Sequence, residues 1–459
     1  MLAQAPATVQ IAVMTKPNPQ DVLEQLIRAA RAAGADAADG LLVEGVSANV
    51  SYRLGKLEEI ERAEAADLGL RVFVGQRVAF ISSTDFSRDG LDALPERAVA
   101  MAKLAPEDKY AGLAPGDLLA TQIPQLDIED PNEPSAETLI DWARSAEEAA
   151  LAVAGVTNSE GGGASFSRSA VSLATSEGFY GRYAFTSHSI GVAGLAGEGV
   201  NMQMDHDSAS ARHASDLDGP ETIGRRAGER AVARLNPRKI KSQTLPVVYD
   251  PRVSSGLVGH LAGAISGASI ARGVSFLKDS MNGKIFCPGV SIIDDPHRLR
   301  GLRSKPFDGE GVANRRRALV KDGVLETWLL DCASARQLGL VSTGHAARGT
   351  GGPPSPAPTN LYMEAGTSTP QALMADITSG FYVTELMGMG VNGVTGDYSR
   401  GASGFWIENG KIAYPVAEVT IAGNLKDMFL HLTAANDLEF RYSTNAPTVR
   451  IEGMTVAGA

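Results

Sequence analysis

The chain has 459 residues, of which 44% are hydrophobic and 21% charged, with a formal net charge of −11. That length is more than one hydrophobic core serves well, so two or three globular domains are expected. The acidic balance, with no basic run longer than Arg315-Arg316-Arg317, argues against nucleic acid as a direct partner.

Residues 1–14 lack the basic start and apolar run of a signal peptide, and no segment reaches the length of a membrane-spanning helix. A cytoplasmic protein without membrane contact is the expectation. Residues 20–33 have helical periodicity, with Val22, Leu23, Leu26, Ile27 and Ala30 on one face and Gly34 at the C-cap. Short alternating runs at 40–46, 49–54, 57–63, 68–74 and 77–82 predict an antiparallel meander, with turns at Gly55-Lys56 and Gly75-Gln76. A second amphipathic helix is predicted over 88–104. Residues 105–134, rich in proline and acids, read as a surface excursion. A helix over 135–153, strands over 156–213 with Gly161-Gly162-Gly163 as a flexible bend, and a helix over 220–235 follow. Asn236-Pro237 stops that last helix.

The expected division is an N-terminal α+β domain over 1–236 and a β-rich C-terminal domain over 245–459. The latter opens with a strand at 245–249 and a glycine-rich helix over 251–271. Asn282-Gly283, Asp322-Gly323, Asn392-Gly393 and Asn409-Gly410 are hairpin-type signals, and 317–330 reads as a hairpin. Residues 349–358 read as a proline-glycine loop without regular structure. The predicted fold class is α+β: an N-terminal helix plus antiparallel-sheet domain, then a mainly antiparallel β domain carrying a long Gly-rich helix.

Gly388-Met389-Gly390-Val391-Asn392-Gly393 fits G-x-G-x-x-G, but turn residues and a strand follow where a dinucleotide site needs a helix. Neither a P-loop nor a nucleophile elbow occurs. Gly256, Gly259, Gly263 and Gly267 recur at helical spacing around His260. Each interior glycine costs ~1 kcal/mol against alanine, so the stripe implies close packing or function. One histidine there is not a metal site, because a metal needs several converging donors. His188, His206, His213, His297, His345 and His431 show no ligand spacing, and His206 and His213 beside Asp205 and Asp207 read as solvated surface. Cys287 and Cys332 read as buried reduced thiols.

The stretch 391–428, a glycine-punctuated turn, a strand, an Asn409-Gly410 hairpin and a second strand, resembles the TldD/PmbA family, within it the PmbA (TldE) branch. Residues 245–277 share that resemblance. TldD-branch members carry H-E-x-x-x-H, two zinc-binding histidines and a general-base glutamate; here those places fall at Ser255, Gly256 and His260. A metal-binding cysteine of that branch, downstream of a segment similar to 434–440, has no counterpart before residue 459. The resemblance therefore implies a subunit with no metal site and no catalytic residue of its own. A TldD-like metallopeptidase subunit would supply the zinc, and together the two would degrade or process unfolded peptides. Asp397, Tyr398, Ser399 and Arg400 are the candidate peptide-facing residues, with Arg400 and Asp397 orienting a peptide terminus or carboxylate, or bracing the turn. The chain alone could form a homodimer. Two other readings stay open: a self-sufficient metallopeptidase of the same family, and a non-catalytic peptide-binding or gyrase-modulating protein.

Overall fold

Asn18 caps the first helix by accepting from the Gln20 amide, and a computed structural model describes the chain from there, over residues 18–458. The signal-peptide expectation for 1–14 lies outside the described residues. Helix α1 (Pro19–Ala32) buries Val22, Leu23, Leu26, Ile27 and Ala30, the face read from the sequence. It packs with α2 (Arg88–Leu104) on one end of a six-stranded antiparallel sheet.

That sheet runs β3-β2-β1-β4-β5-β6, from β1 (Ala37–Arg53), β2 (Lys56–Val74), β3 (Arg77–Ser83), β4 (Val156–Thr175), β5 (Tyr180–Ala196) and β6 (Gln203–Ala211). The four short runs expected over 40–74 are therefore two long strands, joined at Leu54-Gly55 and paired from Ala37↔Phe73 to Arg53↔Lys56. No residue between 45 and 49 turns the chain. Helices α3 (Ala136–Leu151) and α4 (Pro220–Ala233) cover the far end of the sheet. The triple glycine 161–163 is not a flexible bend. It lies inside β4, and a Cβ on Gly162 would stand 2.1 Å from the Ala143 carbonyl oxygen, so the absent side chain lets α3 seat on the sheet.

The second half begins with β7 (Gln243–Tyr249) and α5 (Pro251–Ala264). The expected helix 251–271 is broken: after Ile265 the chain turns, and α6 (Gly267–Ala271) starts afresh with the Gly267 amide bonded to Leu329 O. Short elements follow: β8 (Ile292–Asp294), β9 (Arg317–Lys321), β10 (Val324–Leu325), α7 (Cys332–Leu338), β11 (Ala346–Ala347), β12 (Ser355–Pro356), β13 (Leu361–Met363) and α8 (Pro370–Met374). The expected 317–330 hairpin is thus real but short, its second arm being only β10. The loop expected at 349–358 contributes β12, and its Thr350 docks on the first half, bonding Asp67 through its hydroxyl.

The last segments are β14 (Ser379–Met387), β15 (Asp397–Glu408), β16 (Lys411–Asn424), α9 (Leu425–Leu430), β17 (Leu432–Ala434), β18 (Thr444–Asn445) and β19 (Val449–Ala457). Strands β7, β14, β15 and β16 lie side by side, and β19 pairs with both β7 and β16, closing a five-stranded barrel. Closure removes the edges a sheet would otherwise expose. The barrel is mixed rather than antiparallel throughout, since β7–β14 runs parallel, as does β13–β18 in a second, smaller sheet. Asn409 and Gly410 take φ of 50° and 78°, the left-handed pair that the tight β15–β16 connection requires. Tyr249, Leu257, Leu261, Phe381, Tyr398, Ile421 and Val456 share the main core, so α5 is packed against the barrel. Among the described residues no helix is long and apolar enough to cross a membrane.

Candidate functional site

Helix α5 is positioned at its start by charge. Asp250 caps it by accepting from the Arg252 amide at 3.0 Å, and the Tyr382 hydroxyl donates to the same carboxylate at 3.0 Å. Arg252 in turn reaches Asp205 of β6 at 2.8 Å, tying the helix to the first sheet. From that anchor the helix buries Ser254, Leu257, Val258, Leu261 and Ala262. Its opposite face shows Gly256, Gly259 and Gly263, where an added Cβ would meet nothing within 4 Å. No element of this chain packs on that stripe among the described residues, so close packing within the chain does not account for these three glycines. Gly267 differs, since a Cβ there would stand 2.5 Å from Ser334 Oγ.

Strand β15 passes beside this face, and its alternation sorts the four candidate residues. Asp397 and Ser399 are exposed, whereas Tyr398 is buried and Arg400 half-buried. Asp397 accepts from Thr395 Oγ1 at 2.6 Å and Asn424 Nδ2 at 3.1 Å, which brace the turn and hold its carboxyl below the usual aspartate range. Tyr398 meets His260 edge-on, with ring centroids 6.0 Å apart at 78°. Burial pushes the phenols of Tyr398 and Tyr249 up.

His260 and Arg400 line one cleft of about 360 Å³ with Gly259, Gly263, Val274, Phe276, Met389, Val391 and Leu425. The Arg400 Nε donates to Met387 O at 3.1 Å, and among the described residues no carboxylate pairs with this guanidinium. Burial first, and then the Arg400 cation, push the His260 imidazole below its ordinary value of 6.5. The lip is apolar: Met389 is 94% exposed, Val394 55% and Val274 43%. Sequence reasoning found His260 and Arg400 but missed this wall, because Val274 and Phe276 follow the break in the expected long helix.

A zinc ion does not fit this donor set. Ser255 offers only a hydroxyl, Gly256 no side chain, and His260 one imidazole with a cation beside it. Among the described residues no group of three or more His, Cys, Asp and Glu side chains is disposed to hold a metal.

Three of the other histidines lie against carboxylates. His188 lies 3.3 Å from Asp130, His213 3.2 Å from Asp127 and His345 3.2 Å from Asp294. The His206–His213 stretch is not solvated surface as expected: His206 is exposed, but His213, Asp205 and Asp207 are buried. Asp205 pairs with Arg234 and Arg252, and Asp207 with Arg226, Arg230 and Arg441. Cys332 is buried and Cys287 half-buried, both unbridged, and burial raises both thiols. The glycines of 388–393 precede β15, not a helix.

Three family profiles match consecutive stretches: PmbA/TldA metallopeptidase domain 1 over residues 38–102, the central domain over 129–235 and the C-terminal domain over 242–458. The chain is 39% identical to Metalloprotease PmbA of Escherichia coli O157:H7, over 95% of this chain and 96% of that protein. It is 36% identical to a Metalloprotease PmbA homolog of Haemophilus influenzae, over 91% and 90% of the two chains. Among solved structures, a candidate modulator of DNA gyrase from Bacteroides thetaiotaomicron aligns with a TM-score of 0.88 at 27% identity, covering 96% of this chain and 99% of that one. TldE from Thermococcus kodakarensis aligns with a TM-score of 0.84 at 21% identity, covering 95% and 99%, a likeness of fold.

Proposed function

The chain belongs to the PmbA/TldD family of metallopeptidases, and from that premise we propose that it is the metal-free subunit of a two-subunit peptidase. A zinc-bearing TldD-like chain supplies the activated water, and this chain completes a cytoplasmic chamber for unfolded peptides. The observation that carries this reading is the chemistry at the three motif places: Ser255, Gly256 and His260 lie along α5, with Arg400 beside the one imidazole. A hydrolytic zinc site takes three protein ligands and leaves a position for water. One histidine next to a guanidinium does not supply that ligand count, and Gly256 stands where the motif places its glutamate base.

Two further features support a peptide-handling role. The bare glycine face of α5 and the exposed Met389, Val394 and Val274 form an apolar surface with no cover among the described residues. Among the described residues, the edge of β2 from Lys56 to Asp67, beyond the stretch that β3 pairs, has no strand beside it. Such an edge takes an extended peptide through backbone hydrogen bonds with little side-chain selectivity.

Reconstitution tests the reading. Mixing this chain with the TldD-like chain of the same organism should cleave an unstructured peptide, and chelator should abolish the activity. His260→Ala here should lower it far less than loss of a zinc histidine in the partner. Full chelator-sensitive activity from this chain alone would refute the reading.

A further inference from the structure

Arg400 is a cation held in an apolar cleft without an acid partner. Its Nε is occupied by Met387 O, which orients the guanidinium and leaves both Nη groups without a protein acceptor among the described residues. Beside it the His260 ring makes no hydrogen bond there either, touching Tyr398 only edge-on. In a chain with 53 acidic residues against 42 basic ones, a half-buried arginine left unpaired marks a place where an anion is expected from outside.

The rest of the cleft restricts which anion. Its volume of about 360 Å³ sits at the low end of the roughly 300–1,000 Å³ typical of small-ligand sites. That is room for one or two amino-acid residues and too little for a folded partner. Val274, Phe276, Val391 and Leu425 give it apolar walls, which disfavour a free inorganic phosphate or a strongly hydrated group. Gly259 and Gly263 leave an open lane along α5 where a peptide backbone can lie against the helix.

We propose that this cleft binds the C-terminal end of a peptide, its α-carboxylate on the Arg400 guanidinium and its last, apolar side chain among Val274, Phe276 and Val391. A C-terminal apolar residue carries both groups on one Cα, as the adjacent cation and apolar wall require. An internal Asp or Glu would bring the carboxylate but set a polar stem against that wall. Planar guanidinium matches carboxylate geometry, and the charge-assisted bond is about twice as strong as a neutral one. The inference rests on the reading of this chain as a peptide-handling subunit, and it assigns the cleft a polarity: the chain end enters here.

The test is calorimetric titration with matched short peptides ending in leucine, one with a free C-terminus, one amidated, and a third amidated peptide ending in aspartate. It is run on the isolated chain and on the reconstituted assembly. The free acid is expected to bind about tenfold or more tightly than either amide. Arg400→Gln should erase that difference with its circular dichroism spectrum unchanged. Gly259→Leu, placed in open space, should block all three peptides while the fold stays intact. Equal binding of acid and amide, preference for the aspartate amide, or no binding in either setting would overturn the proposal. Assembly and cleavage, measured separately, would stand or fall independently of that result.

Discussion

Arg348 donates to Asp39 at 2.7 Å across 309 positions of sequence, with each side chain only 1% exposed. The pair joins the loop after β11 to the first strand, and Arg71 of β2 completes it by bridging Asp39 and Glu310. Burial pushes the Asp39 carboxyl up, but Arg348 and Arg71 outweigh that and hold it below 3.8.

Removing one member should be costly, because the remaining charges stay buried. Arg348→Met should lose stability toward the lower end of roughly 3–5 kcal/mol, since Arg71 still serves Asp39. Asp39→Asn should lose more, because it leaves two buried guanidinium groups without their shared acid. Urea unfolding measures both. With its folded value depressed, Asp39 contributes stability above the unfolded value of about 3.8, and loses it as pH falls through the folded value. The difference between wild type and Asp39→Asn should shrink accordingly in acid.

The glycines of two helices should respond in opposite directions. Gly259 on α5 has open space at its Cβ position, so Gly259→Ala should stabilise the isolated chain by about 0.5–1 kcal/mol through helix propensity. On α4 a Cβ at Gly224 would stand 2.0 Å from Ala146 O, so Gly224→Ala should destabilise by about 1–3 kcal/mol through overpacking. Thermal unfolding of the two variants decides this.

The His260 imidazole should titrate below 6.5, and Arg400→Gln should move it up toward that value. In wild type the unfolded chain takes up this proton first as pH falls below 6.5, so the fold loses stability from there down to the folded value. Arg400→Gln should narrow that loss. Proton NMR of the ring, with denaturation at matched pH values, measures both effects; a midpoint unmoved by the substitution would contradict the contact.

Much of the fold was legible where local chemistry dictates structure. The apolar face of α1 and the Asn409-Gly410 turn were both readable, because helix periodicity and positive φ leave direct marks in sequence. The continuity of β1 and β2 was not: 49–54 and 57–63 read as separate strands, whereas each extends its neighbouring run without a turn. Residues 56–65 of β2 are exposed, so no buried face ties that arm to the rest of its strand. Barrel closure by β19 depends on pairing with β16 and β7, a distant relationship that no local pattern carries. Charge density misled at Asp205, Asp207 and His213, since partly buried arginines of α4 and α5 pair with the two buried acids and His213 lies against Asp127. At the site, His260 and Arg400 stood out by residue type, but their cleft needed the break at Ile265 that brings Val274 and Phe276 round.

The most direct measurement is the metal content of this chain purified alone and desalted after exposure to excess zinc. The donor set around His260 predicts no zinc retained in stoichiometric amount, and no change in that result with His260→Ala. One retained zinc per chain, lost on His260→Ala, would contradict the account.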